Sequence, residues 1–397
     1  MKNPFLHLAL LAIFTLFFFT KPSHQQANNS FPALPPLPPL PPLPALPHLP
    51  PLNPRLFNAY IALQAWKHAI TSDPQNFTAN WCDLNVCNYT GVYCAPAPDD
   101  PKITTVAGID LNHANISGHL PEELGLLTDL TLFHINSNRF CGTLPASFNK
   151  LHLLYELDVS NNNFTGQFPS VVLSIPMLKF LDIRFNGFEG NIPSSVFDLQ
   201  LDALFLNSNK FQSSLPGNIG NSPVSVIVFA DNAFNSCFPS SLSKMGSTLN
   251  QIILMNVGLK GCIPPEIGLM KNLTVFDVSF NELVGPLPET LGELKSLEQL
   301  NVAHNKLSGE IPESICLLPK LQNFTYSYNY FCGESPICLK LQDKDDQKNC
   351  IPDRPLQRSP EECAAFLAHP VDCGASGCSP GSPPPPPTPP LPPAGHP

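Results

Sequence analysis

Thirteen cysteines, seven glycosylation sequons and a periodic row of aspartates are the residues of this chain with chemistry to offer. The cysteines gather at two places. Cys82, Cys87 and Cys94 form an early group, and Cys316, Cys332, Cys338, Cys350, Cys363, Cys373 and Cys378 form a late one. No CxxC or HxxxH spacing is present to hold zinc, so no metal site is expected and disulfides are the default product. An odd count leaves at least one cysteine without an intramolecular partner, and Cys141, isolated between the groups, is the first candidate. Asn-x-Ser/Thr occurs at Asn28, Asn76, Asn88, Asn115, Asn163, Asn272 and Asn323, each a glycan acceptor where exposed. Disulfides and glycans both point to an exported protein.

Catalytic chemistry is not written in the sequence. The acidic pairs Glu122-Glu123, Asp345-Asp346 and Glu361-Glu362 read as solvated surface rather than a glycosidase pair. His113, His134 and His304 have no fixed nucleophile partner, and no kinase signature, phosphate-cradling glycine loop or GxSxG elbow occurs. The chain therefore reads as a non-enzyme without a cofactor. With 21 basic against 31 acidic residues the net charge is −10. That disfavours nucleic acid, whose phosphates demand a basic surface, and favours a basic partner.

The elements that must carry these residues begin with a leader. Lys2 precedes an apolar run from Phe5 to Thr20. At about 16 residues it is short for a membrane span and suits a signal peptide, placed at 1–25. No second apolar run follows, so no membrane span is expected after cleavage. Residues 26–52 are dominated by PPLPPLPPLP, whose fixed φ and missing N–H donors favour a polyproline II rod. Asn53-Pro54 then reads as N-cap and first helical position, with Leu56, Tyr60, Leu63, Trp66 and Ile70 at helical spacing up to Asp73-Pro74. This helix and the early cysteines make an N-terminal cap, 53–102.

From residue 103 the sequence repeats. Units end on Pro121, Pro145, Pro169, Pro193, Pro216, Pro239, Pro264, Pro288, Pro312 and Pro336, spaced 23 to 25 residues apart. Seven residues before each proline stands an asparagine, except at Ala114 and Val257. The unit LxxLxLxxNxFxGxIP is explicit from Leu154 to Pro169. Alternating apolar residues make a short strand, the asparagine satisfies backbone groups where the chain turns away, and glycine and proline shape the return. No unit can bury its own apolar face, so stability must come from stacking. The predicted fold is an α/β leucine-rich-repeat solenoid of about ten 24-residue units, 103–338. A cysteine-rich cap follows at 339–378 and a proline-rich tail at 379–397.

Register makes two further expectations. Cys237 and Cys262 both precede their unit's proline by two residues in consecutive coils about 5 Å apart, which predicts a Cys237–Cys262 rung. The outward strand positions run Asp110, His134, Asp158, Asp182, Phe205, Val228, Ile253, Asp277, Asn301 and Thr325. Arg184 belongs to a second outward row, and Phe185, Asp231, Phe280, His304 and Tyr328 to a third. Asp110, Asp158, Asp182, Arg184, Phe185, Asp231, Asp277, Phe280 and Tyr328 are thus the expected contacts for a basic peptide, acids for attraction and rings as anchors. Aspartate between strand leucines is also a common repeat filler, an equally open reading.

Three stretches carry a family resemblance. They are NAYIALQAWKHAI with NVCNYTGVYC, the run VAGIDLNHANISGHLPEELGLLTDLTLFHINSNRFCGTLP, and VFDVSFNELVGPLPE with NFTYSYNYFCGESPICL. Over residues 53–373 the chain resembles the plant leucine-rich repeat extensins. The resemblance implies a cell-wall protein whose repeats bind secreted rapid alkalinisation factor peptides, which are small, basic and cysteine-containing, and which modulates wall assembly and growth. It also implies a hydroxyproline-rich tail, admits a disulfide-linked homodimer, and allows contact with wall polysaccharide. The tail departs from the family pattern, because Ser382 heads one proline run and no tyrosine follows. Non-covalent, salt-releasable retention in the wall is therefore expected. The competing reading is an inhibitor of a secreted polysaccharide-degrading enzyme, as similar plant repeats provide.

Overall fold

The computed structural model describes residues 53–369 together with positions 371, 373 and 378. The expected signal peptide, proline-rich segment, tail and Asn28 sequon lie outside the described residues. The first element is a helix, Pro54–Ala69. Asn53 caps it by accepting the N–H groups of Arg55 and Leu56, and proline occupies the first turn where no N–H is missed. The helix stops at Ala69 rather than near Asp73, because Ile70–Ser72 leaves it to pair with Ser117–Gly118. Its buried face presents Ala59, Ala62, Leu63 and Trp66. The Trp66 ring meets Trp81 at 5.8 Å and Phe133 and Phe140 at 5.6 Å, which closes the first coil's apolar end.

Beyond the cap, each coil adds one short strand to a single twelve-stranded sheet. The first pair, Val92–Pro96 with Thr104–Asp110, is antiparallel. All later neighbours are parallel, from Leu132–His134 through Glu156–Asp158, Phe180–Asp182 and Ala203–Phe205 to Asn323–Thr325. The middle residue of each strand is buried, including Phe133, Leu157, Leu181, Leu204 and Leu300. Its two neighbours therefore face out, as a period of two requires. On the opposite side, short 3-10 turns such as Glu122–Leu126, Ala146–Lys150 and Glu289–Glu293 follow the unit prolines.

Asparagines stitch the coils together. Asn162 Oδ1 accepts the Phe140 N–H of the preceding coil at 3.0 Å, while its Nδ2 donates to the carbonyls of Ile135, Val159 and Ser160. Asn138, Asn186, Asn209, Asn232, Asn281, Asn305 and Asn329 repeat the pattern. Each saturates a buried amide and so fixes where the chain leaves the sheet.

The stack continues past the boundary expected at 338. Asp343–Asp345 pairs in parallel with Asn323–Thr325, and Asn349 accepts the Phe331 N–H at 3.2 Å. This unit lacks the leucine pattern because a terminal coil has no following neighbour, so its outer side need not be apolar.

A second strand layer runs along one flank and is broken in two. Six strands end at Lys210–Phe211, and four begin at Lys260–Gly261. Between them only the bridges Gln212↔Ala233 and Cys237↔Lys260 remain. The break coincides with the coil in which Val257 replaces the ladder asparagine.

The expected Cys237–Cys262 rung is not formed. Cys237 pairs with Cys378 and Cys262 with Cys373. The flank strands pair with a two-residue stagger from coil to coil, as Gly118 with Phe140 and Gly142 with Phe164, so Cys237 stands opposite Lys260 and Cys262 lies two residues farther along, beyond disulfide reach. The C-terminal segment instead returns across the broken flank and brings both partners. Gly285 makes room for it: an added Cβ would lie 2.8 Å from the sulfurs of both Cys262 and Cys373. Cys87–Cys94 closes the N-terminal cap, and Cys316–Cys338 with Cys350–Cys363 closes the C-terminal one. Cys82, Cys141 and Cys332 carry no disulfide, so Cys82 in the early group and Cys332 in the closing set both depart from their expected roles. Among the described residues no helix is long and apolar enough to cross a membrane.

Candidate functional site

The outward rows align as their register requires. Asp110 pairs with His134, His134 with Asp158, Asp158 with Asp182, Asp182 with Phe205, and Ile253 with Asp277. These aspartates do a local job first. Oδ1 of Asp110, Asp158, Asp182 and Asp277 accepts the backbone N–H two residues on, at 2.9 to 3.1 Å. Each thereby caps the strand end where the chain begins to turn. The filler reading thus has a physical cause, and only the second oxygen is left for other work.

That oxygen has different fates along the ladder. In Asp277 it accepts Asn301 Nδ2 at 3.0 Å. In Asp182 it lies 3.0 Å from Arg184 Nε, and the carboxyl is wholly buried. Burial, reinforced by the charge of Asp158, pushes the Asp182 carboxyl up to about 7, although Arg184 opposes this. The Arg184 guanidinium also sits over Phe205, 5.1 Å from the ring centre. Asp182 is therefore buried beneath a partly exposed Arg184 rather than presenting a free carboxylate. Asp231 accepts Asn256 Nδ2 at 2.8 Å.

The third row has a property of its own. Every residue in it adopts a left-handed conformation, from His113 at φ 57° through Phe185 at 52° to Tyr328 at 56°. Side chains held at one backbone conformation in successive coils lie in register. Phe280, His304 and Tyr328 consequently form a stacked column with ring centres 4.1 Å apart and planes 11° from parallel. Phe280 and Tyr328 are exposed, at 51% and 36%, a large apolar area for water to meet. Burial between the rings pushes the His304 pKa below its ordinary value, with Asp345 pulling the other way. Phe185 is equally exposed but lies four coils away and shares no ring contact with the column.

The structure thus brings Phe280 and Tyr328 together through His304, and Asp158 together with Asp182, Arg184 and Phe205. Phe185 adjoins the second group through its chain neighbour Arg184 but not the aromatic column, and Asp110 and Asp231 share no hydrogen bond or ion pair with either group among the described residues. Two features escaped the sequence reading. His304 belongs in the aromatic column, and shared register with Phe280 and Tyr328 was the available signal. A further outward row, Leu132, Glu156, Phe180 and Ala203, lies two residues before the aspartate row and was available from the same alternation.

Comparison with known proteins places these surfaces in context. A family model described as the leucine-rich repeat N-terminal domain matches residues 60–95. A model described as the leucine-rich repeat matches 153–174, 177–199, 272–294 and 296–318. The chain is 68% identical over 329 residues to leucine-rich repeat extensin-like protein 6 of Arabidopsis thaliana, covering 83% of this chain and 70% of that one. To leucine-rich repeat extensin-like protein 7 of the same plant it is 70% identical, covering 83% and 76%. Among solved structures, the repeat ectodomain of the Arabidopsis receptor kinase HAESA, in complex with an extended IDA peptide hormone, is similar with a TM-score of 0.67 and 30% identity. That match covers 75% of this chain and 50% of the ectodomain.

Proposed function

The chain belongs to the leucine-rich repeat extensin-like family, and from that premise we propose that it is a secreted cell-wall protein whose repeats bind a basic peptide of the rapid alkalinisation factor type. Binding would couple peptide signals to wall assembly and growth. One observation carries the reading: an exposed three-ring column on the sheet face, within a chain of net charge −10. Aromatic anchors supply most of the affinity at such surfaces, and charge supplies approach and selection. The HAESA ectodomain, similar in fold and sequence, was solved with a peptide hormone, which supports a peptide as ligand class. On this reading residues 1–25 direct export, and the exposed sequon asparagines Asn76, Asn88, Asn115, Asn163 and Asn272 carry glycans.

Calorimetry of the full secreted chain with a rapid alkalinisation factor peptide at two salt concentrations tests it. Binding at micromolar peptide or tighter, weakening as salt rises, is expected. No binding at that concentration defeats the proposal. Pull-down from wall extract should recover a small basic peptide; recovery of a pectin-degrading enzyme instead would favour the inhibitor reading.

A further inference from the structure

At the N-terminal end of the same sheet face lies a cavity of about 390 Å³ that the aspartate and aromatic rows do not account for. Pro98, Leu132, Leu153, Tyr155 and Met177 supply its apolar wall, and Glu156 is the one carboxylate on it. Tyr155 and Met177 are 43% and 49% exposed, so large apolar side chains border an open depression instead of a closed core. The volume lies at the small end of the range for ligand pockets and admits a leucine- or tyrosine-sized side chain with room to spare.

The charge beside the cavity is arranged as well. Glu156 and Asp158 are alternate residues of one strand, so both face outward about 7 Å apart. Asp182 lies across from Asp158 on the next strand. Asp158 commits Oδ1 to Ser160, and its Oδ2 has no protein partner among the described residues. The local basic side chains are already engaged. His134 Nε2 lies 3.1 Å from Glu156, Arg184 is on Asp182, and Lys179 is 3.8 Å from Asp202. An apolar hole is therefore followed, one strand repeat away, by a carboxylate oxygen without a protein partner, with Glu156 beside it on the strand.

We infer that this is a recognition subsite for an extended peptide segment bearing an apolar side chain and, two residues along, a lysine or arginine. In an extended chain those two side chains leave the same side about 7 Å apart, which matches the separation of the cavity's Glu156 edge from Asp158. The inference rests on the peptide-binding reading and deepens it by naming a sequence preference.

The test uses the full chain with ¹³C-methyl methionine. Met177 reports on the cavity, and the buried Met245 and Met270 serve as internal controls. The probe is acetyl-Gly-Leu-Ser-Arg-Gly-amide, with two comparison peptides in which alanine replaces the leucine or glutamate replaces the arginine. Millimolar probe should shift the Met177 methyl and leave Met245 and Met270 in place. Each comparison peptide should bind at least fivefold more weakly, and Tyr155→Ser should weaken the probe by a similar factor. A motionless Met177, or equal shifts with all three peptides, overturns the subsite. The calorimetric test above separates the two failures. If the basic peptide binds while Met177 stays fixed, the subsite falls and the peptide-binding reading stands; if neither binds, both fall.

Discussion

Phe280 and Tyr328 hold the ring of His304 between them, each at 4.1 Å and 11° from parallel. Three coils contribute one ring apiece from the same left-handed backbone position, so the column is a product of the repeat and not of any single loop. Its outer rings, Phe280 and Tyr328, are exposed, which sets the first expectation.

Truncating the column should damage ligand binding more than folding. Tyr328→Ala or Phe280→Ala should each cost about 2 kcal/mol of peptide affinity if they anchor the ligand. His304→Ala should weaken binding as well, by unpacking both neighbours. Calorimetry checks the affinities, and unchanged melting temperatures show that the coils remain stacked.

Charge should act on the rate of encounter. Asp158→Asn keeps a side-chain oxygen for the Ser160 N–H and removes an outward charge. Association with a basic peptide should slow and lose much of its salt dependence, while dissociation changes little. Stopped-flow or surface kinetics at two ionic strengths read this directly.

Asp182 should make stability depend on pH. Its folded carboxyl holds its proton up to about 7, mainly through burial and then through Asp158, whereas an unfolded aspartate loses it near 3.9. Between those values the folded state binds more protons than the unfolded state, so stability falls as pH rises and levels off above about 7. Asp182→Asn should flatten that slope, a gain relative to the native chain that is larger at pH 8 than at pH 4. Thermal melts across this window decide it.

The flank glycines separate strain from collision. Gly142 and Gly285 both adopt left-handed φ, 87° and 77°, but only Gly285 faces disulfide sulfurs at 2.8 Å. Gly142→Ala should cost about 1 kcal/mol from backbone conformation alone. Gly285→Ala should cost more, and it should raise the reducibility of Cys262–Cys373. Melting curves and timed alkylation of the cysteines compare the two.

Ser213 occupies the corresponding left-handed position, at φ 83°, without glycine's freedom. Ser213→Gly should stabilise the chain by up to about 1 kcal/mol. Hydrogen exchange should show the gain concentrated near Gln212 and Ala233, where the flank sheet breaks.

The sequence by itself determined the repeat, the strand faces and the third outward row, because these follow from periodicity. A period near 24 with alternating apolar residues leaves one stacking solution, and the asparagine needs only its own coil and the neighbouring one. Asn53-Pro54 is local in the same sense, decided within a few residues, whereas three cysteines in the N-terminal cap left its pairing open until the structure joined Cys87 to Cys94. Tertiary structure decided whatever depends on distant segments or on how successive coils are staggered. Asp182 looks identical to Asp158 in the sequence, yet Arg184, Phe205 and the surrounding coil bury it. Cys237 and Cys262 seemed to share a rung, but the two-residue stagger of the flank strands offsets them, and cysteines 111 and 141 residues away reach them instead. Likewise the cavity at Tyr155 and Met177 needs Pro98 from the cap beside three successive coils. Repetition tells a chain what to stack on next; where the repetition falters, only the packed molecule says what fills the gap.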